Sequence, residues 1–435
     1  METLDRKKAP AYTLIDKMEP IKSQEKRLSN NIPVYIVNGG TQALVKLEFL
    51  FDAGMYYQIM PLQATTVNTM LEEGTSNLSA DQIADQVDYY GAYLETSVGQ
   101  DTASVIVYTL NKHISSVLPI IEQIIKDSAF PQRELDIHLK NKKQLFHLNN
   151  QKVANIARKH FSELLFGAKH PYGVMVKEED FDLINRERLL EFYALFYNSK
   201  KCKIIISGKV EETVLGYLEN HFGKGEWGGI SDVSASVKYT QNNFITTSTS
   251  EQYKHQIEMK GVMQSAIRVG KLLFNKTHPH FQELQILNTI LGGYFGSRLM
   301  MNIREDKGYT YGIGSGIVSL RNGGYFFIST EVGVDVCKNA VDEIFFEINR
   351  LRTDFVHEQE LELVKNYLLG SFLRSIDGPF AMADRFKGIL EYNLGYDYYD
   401  KYLETIRNIS TPRLKELAIQ YLDSNSMTEL VVGKK

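Results

Sequence analysis

Apolar and polar positions alternate along this chain with two periods, and the changes of period mark out its elements. Ser79 with Gln82 forms a capping box that opens a helix over "ADQIADQVDYY", and Gly91 closes it. "YLETSV" and "TASVIVYTL" then read as strands, and "ISSVLPIIEQIIKDS" as a helix with a continuous apolar face. Further on, "PHFQELQILNTIL" is helical, with Pro279 expected at its first position. "YTYGIGSGI" and "GGYFFISTEV" read as strands, and "DVCKNAVDEIFFEINRLR" as a helix. "ATTVNTMLEEGT" (64–75) has the pattern of a buried helix end running into a Gly-Thr turn.

The pattern occurs twice. "INRERLLEFYALFYNSKKCKIIISGK" (184–209) aligns without a gap on "ISTPRLKELAIQYLDSNSMTELVVGK" (409–434), with Ile184 opposite Ile409, Arg188 opposite Arg413 and Gly208 opposite Gly433. Each copy reads as an amphipathic helix, a polar turn and an apolar strand ending at Gly. Upstream, "NTML" (68–71) matches "NTIL" (288–291) in the same order. The stretch 225–252 is rich in Gly, Ser, Thr and Asn, as a linker is. The chain therefore divides into an N-terminal half (1–225), a linker (226–249) and a C-terminal half (250–435). The expected fold class is α+β: two duplicated sandwich halves, each a largely antiparallel sheet with helices packed on it, enclosing a cleft or chamber.

Composition narrows the function. With 435 residues, the chain is long enough for at least two cores. A net charge of −4 gives no basic field for nucleic acid. No apolar run approaches the ~18 residues of a membrane span, and the first residues lack the apolar core of a signal peptide. The expectation is a cytoplasmic location, or a periplasmic one where an export signal has been removed. Cys202 and Cys337 make neither a disulfide framework nor a zinc ribbon, so reduced buried thiols are expected.

No H-x-x-x-H or H-x-x-E-H frame holds the histidines, and "HFSEL" (160–164) and "HEQEL" (357–361) each carry Leu where the second His is needed. No metal is assigned to this chain. There is neither a G-x-S-x-G elbow nor a P-loop, and "LGGYFGSRL" (291–299) sits between helical patterns, where its glycines permit a turn. In "GSRLMMNIREDKGYTYGIGSG" (296–316), Arg304 is expected in the last turn of a helix ending at Gly308. Tyr311 is expected on the adjoining strand, near enough for both to face one cleft.

Those segments carry a family resemblance over nearly the whole length. "LGGYFGSRLMMNIREDKGYTYGIGSG", and more weakly "LLFGAKHPYG" (164–173), resemble the pitrilysin/insulinase family of zinc metallopeptidases. That family is built from duplicated α+β halves closing around a chamber. Its inverted zinc motif, H-x-x-E-H before Met-Leu and a Gly-Thr turn, falls here on 65–69. Thr65, Asn68 and Thr69 stand where the family has its two histidines and its catalytic Glu. Near the third ligand's place, Lys143, Gln144 and His147 offer no carboxylate. A neutral hydroxyl or amide is a poor zinc ligand.

The family's second functional element, an Arg and a Tyr seven residues apart, is matched by Arg304 and Tyr311. The resemblance implies that the Tyr hydroxyl donates to the oxyanion of the tetrahedral intermediate while the Arg holds a substrate backbone carbonyl. In some members the zinc motif and the Arg/Tyr pair lie on separate chains. The implied reading is a non-zinc subunit of a heterodimeric peptidase. Zinc is then expected on a homologous partner subunit, and a peptide or unfolded protein as substrate. The alternatives are a non-enzymatic scaffold or peptide-binding protein, and a free-standing peptidase with improvised ligands. By the same resemblance, substrate adds as a strand to a sheet edge, around "GAYLETS" (91–97) in the first half.

Overall fold

The computed structural model describes residues 21–229 and 253–435. From residue 230 onward the expected linker lies outside the described residues.

Two sheets account for the strands. The first comprises β1 (Gln24–Arg27), β2 (Pro33–Asn38), β3 (Leu44–Phe51), β4 (Tyr93–Val98), β5 (Ala103–Leu110) and β6 (Cys202–Gly208), in the order β1-β2-β6-β3-β5-β4. The second comprises β7 (Lys254–Glu258), β8 (Gln264–Leu273), β9 (Ile313–Leu320), β10 (Gly323–Gly333) and β11 (Thr428–Gly433), in the order β7-β11-β8-β10-β9. Each sheet has one parallel pair, β2 with β6 and β7 with β11, and is otherwise antiparallel. The fold is the α+β class read from the sequence, and the sheets match strand for strand from β2/β7 outward.

Local signals act as expected over most of the chain. Ser79 and Gln82 form the capping box of the helix Ala80–Tyr89, and Gly91 follows it at φ 58°. The run "ISSVLPIIEQIIKDS" supplies the helix Ile114–Lys126, which buries seven apolar side chains. Both cysteines are free and buried. Two expectations need correction. The helix after "HPH" starts at Phe281, with His280 as its cap, so Pro279 precedes it rather than opening it. And β9 begins at Ile313, which leaves Tyr311 in the loop before the strand.

The strand β11 is buried along its whole length and β6 at every residue but Lys203, because both faces of each sheet are covered at these strands. Ile204 and Ile206 point into the first half's own helical layer, whereas Ile205 packs with Phe372, Phe386 and Ile389 from the second half. The second sheet reverses the arrangement. Val431 joins its own helices, while Leu430 and Val432 pack with Phe161, Leu165 and Phe166 of the first half. Each half thus sends one helix across: Val153–Phe166 lies on β8 and β11, and Gly378–Leu390 lies on β6 and β2. Fully burying a side chain such as Phe161 contributes about 1.5–3 kcal/mol, so neither sheet is complete without the other half's helix.

Polar latches accompany the exchange. Lys46 and Glu48 are buried on β3; Lys46 Nζ is 2.6 Å from Asp384 and 3.3 Å from Glu48, and Lys387 Nζ is 2.5 Å from Glu48. Both partners, Asp384 and Lys387, belong to the visiting helix. On the other side the β9–β10 turn reaches into the first half. Arg321 Nη1 lies 2.6 Å from Asp52, and the Arg321 backbone N–H donates to Asp101 at 3.0 Å. Asp101 also accepts from the Tyr172 hydroxyl at 2.5 Å. The "HPYG" turn that carries Tyr172 requires its glycine: a Cβ at Gly173 would come 2.2 Å from the Gly167 carbonyl oxygen.

Candidate functional site

The helix Gln63–Met70 has the position of a site and the contents of a core. It opens from Leu62 in the left-handed region (φ 71°) and buries Gln63, Ala64, Thr66, Val67, Asn68 and Met70. Its polar groups are largely turned inward to the protein. The Gln63 amide donates to the Arg188 carbonyl at 2.8 Å, and the Thr65 hydroxyl to the Leu62 carbonyl at 3.0 Å. The Asn68 amide donates to the Tyr197 hydroxyl at 3.1 Å and to the Ser104 carbonyl at 3.4 Å. Thr69 is half-buried on the same helix. Among the described residues no group of three or more His, Cys, Asp or Glu side chains is placed to hold a metal ion. The helix Gln132–Asn149 supplies no ligand either. Its Lys143 pairs with Glu178 at 3.4 Å, and His147 Nε2 lies 3.6 Å from the same carboxylate. A zinc site needs three protein ligands, and these residues do not fit one.

Just beyond the helix, Glu72 is half-buried and accepts a 3.4 Å hydrogen bond from Thr96 on the edge strand β4. Burial, with the Glu73 carboxylate adjacent, pushes its pKa up to about 6, against the smaller opposing effect of the Thr96 hydroxyl.

The second half places Arg304 and Tyr311 differently from each other. Arg304 sits in the last turn of the helical segment Met300–Asp306, which ends at Gly308 (φ 68°) with Tyr309 N–H donating to the Ile303 carbonyl. Two anchors fix this segment: Arg298 forks onto Glu360 through Nε and Nη2, each at 2.8 Å, and the Asn302 amide reaches Glu343 and Glu347. The Arg304 guanidinium lies over the Phe295 ring, 4.6 Å from its centroid, and 3.2 Å from Glu305.

Tyr311 follows in a loop pinned to β10. The Thr310 hydroxyl donates to the Glu331 carbonyl at 2.7 Å and accepts from the Gly312 N–H, while the Thr330 hydroxyl donates to the Gly312 carbonyl. The backbone is held on both sides and the ring is left 95% exposed. It stands at a hollow of about 360 Å³ between the start of the Val153–Phe166 helix and β8 and β10, bordered by Ala154, Ala157, Ala266, Arg268 and Glu331. Arg304 is not among the residues lining it. The expected Arg/Tyr pair is therefore on neighbouring segments but not joined side chain to side chain.

The sequence pattern missed Arg268. It rises from β8, half-buried, between the rings of Phe161 (6.0 Å to the centroid) and Phe327 (5.4 Å). Burial lowers its pKa, the nearby Tyr325 opposes this, and the Arg158 charge adds to it. The available signal was the cation Arg268 inside "SAIRVGKLL", at a strand position whose same-face neighbours, Ala266 and Gly270, are small.

Comparison with known proteins agrees with this geometry. Residues 183–368 match the family model described as the peptidase M16 inactive domain. A Bacillus subtilis protein named uncharacterized zinc protease YmxG is 21% identical over 92% of this chain and 96% of its own. The same organism's probable inactive metalloprotease YmfF is 23% identical over 49% of this chain and 48% of its own. A crystal structure of a peptidase M16 inactive domain from Pseudomonas fluorescens superposes with a TM-score of 0.82 at 20% identity, covering 95% of this chain and 98% of that one. With the duplicated sheets, a helix Gln63–Met70 that offers no metal ligands and the matched segment at 183–368, the chain is similar to peptidase M16 inactive-domain proteins in that segment and shares their fold.

Proposed function

We propose that this chain is the non-zinc subunit of a two-chain peptidase, with the metal on a homologous partner and a peptide or unfolded segment as substrate. The observation that carries the reading is the presentation of Tyr311: a clamped backbone, a free ring, and a hollow beside it. Its hydroxyl donates to the oxyanion that forms as the peptide carbonyl is attacked, and a pre-organised donor of this kind contributes ~2.7–4 kcal/mol. Arg304 holds a backbone carbonyl of the substrate. To do so it leaves Phe295, an exposed cation–π contact that costs about 0.5–1 kcal/mol to break, well below what a charged hydrogen bond to substrate returns. A zinc ion held by the partner would supply the activated water. The name zinc protease among the relatives supports the reaction class.

The test is peptide cleavage by the complex with a zinc-bearing partner. Tyr311→Phe lowers kcat by about 10²–10³, and Arg304→Ala raises KM. Unchanged turnover in both variants overturns the assignment. A second reading, a peptide-binding protein without catalysis, is favoured by the placement of Arg304 outside the hollow and by the probable inactive relative. It predicts peptide binding by the isolated chain and no dependence of any cleavage on Tyr311.

A further inference from the structure

We propose that Arg268, with the Arg158 charge near it, makes the hollow beside Tyr311 a binding site for a carboxylate carried by a peptide, either an acidic side chain or the C-terminal carboxylate. This rests on the peptide-handling role above and adds the chemistry of what is held.

Three observations carry it. First, the Arg268 guanidinium is held without a counter-ion: Phe161 and Phe327 support its plane, and among the described residues no carboxylate pairs with it. Ring faces attract a cation but accept none of its five N–H donors as a carboxylate does. A half-buried charge left this way is unfavourable, and an incoming anion removes the penalty. Second, the adjacent charge has the same sign. Arg158, exposed on the visiting helix, bears on Arg268 electrostatically and likewise has no carboxylate partner among the described residues. Two neighbouring guanidiniums with no carboxylate partner among the described residues stand out on a chain of net charge −4. Glu331 borders the hollow as well, exposed and not paired with Arg268. Third, the space fits. About 360 Å³ is at the lower end of ligand-sized pockets, enough for one side chain or a chain terminus with the rest of the peptide outside. The planar fork of arginine matches a carboxylate in two parallel hydrogen bonds.

The arrangement gives the peptide a direction. Tyr311 stands at the mouth and Arg268 at the wall, so a chain crossing the ring turns one acidic group inward. Because Arg268 belongs to β8 and Arg158 to the helix from the other half, the site exists only where the two halves meet.

Fluorescence anisotropy on the full chain tests this with four rhodamine-labelled peptides of one Ala/Ser/Tyr sequence. They carry Glu or Gln at the centre and a C-terminal carboxylate or amide. The expected result is that at least one carboxylate-bearing peptide binds about tenfold more tightly than the doubly neutral one. The Glu and C-terminal arms show which source is taken. R268Q removes the advantage and leaves the neutral peptide's affinity unchanged. R158Q, an exposed change on the Val153–Phe166 helix, reduces the advantage without disturbing the aromatic contacts, which keeps the test readable should R268Q not fold. Equal binding of all four peptides, binding of none, or an advantage that survives both variants overturns the proposal. So does a lower melting temperature in R268Q with discrimination intact, which marks Arg268 as a packing element. Turnover that depends on Tyr311 in the complex stands or falls separately from these results.

Discussion

The buried polar residues of the first half and the polar residues around Tyr311 were shaped by opposite requirements. Lys46, Glu48 and Asn68 are each 4% exposed or less, and each finds its partners inside the molecule. Tyr311 and Arg268 belong to the second half's β8–β10 region, and among the described residues neither the Tyr311 ring nor the Arg268 guanidinium meets a carboxylate, although Arg268 lies near the Phe161 and Phe327 rings. A buried polar group must be satisfied to persist. A polar group held in place and left unsatisfied is available to something else. The helix Gln63–Met70 meets the first condition and the Tyr311 loop the second.

Four measurements break or sharpen that contrast. The largest effect is expected at Glu48, where Glu48→Ala leaves Lys46 buried with Asp384 alone. Chemical denaturation should show a loss of about 3–5 kcal/mol, whereas Asp384→Ala, at a position with a 62% exposed side chain, costs below about 1 kcal/mol. Next comes Asn68→Ala, which strands the buried Tyr197 hydroxyl; a loss of about 1–3 kcal/mol is expected. An unchanged midpoint would mean that the helix has not been absorbed into the core.

Glu72 gives a smaller and pH-dependent signal. Its folded pKa of about 6 lies above the ordinary 4.5, so the protonated form is the one the fold prefers. Its contribution is fully present below about pH 4.5 and is lost as pH rises through 6. Glu72→Gln should therefore match the native chain at pH 4 and exceed it at pH 8, by no more than about 2 kcal/mol. A gain on the acid side would contradict the sign. Smallest of all is the stability effect of Tyr311→Phe, within about 0.5 kcal/mol, because the ring contacts almost nothing. A larger shift would show that Tyr311 serves the fold.

Much of the architecture was legible because it is local. The Ser79–Gln82 box, the duplicated helix–turn–strand and the strand periods each depend on a few adjacent residues. The exchange of helices was not legible, since an apolar face containing Phe161 and Leu165 says that a helix is covered and not by which sheet. The apolar run Ile204–Ile206 within "CKIIISG" implied cover on both faces, without naming its source. Tyr311 was misplaced for a definable reason. The period of "YTYGIGSGI" runs on past the strand, but the Thr310 hydroxyl bonds to the β10 backbone and the ladder starts only at Ile313 opposite Thr330. Arg268 was overlooked because a cation in a strand ordinarily marks the solvent face, and here that face is partly roofed by a helix from the other half.

That crossing imposes an order on biosynthesis. A nascent chain that has emerged only as far as β6 carries a sheet whose Ile205 side awaits Phe386 and Ile389, nearly two hundred positions later in translation. Its Val153–Phe166 helix meanwhile has an apolar stripe destined for Leu430 and Val432, close to the last residues made. Maturation therefore ends in a mutual docking rather than in two sequential foldings, and a product truncated before residue 378 should be captured by chaperones or precipitate, however well its own strands pair.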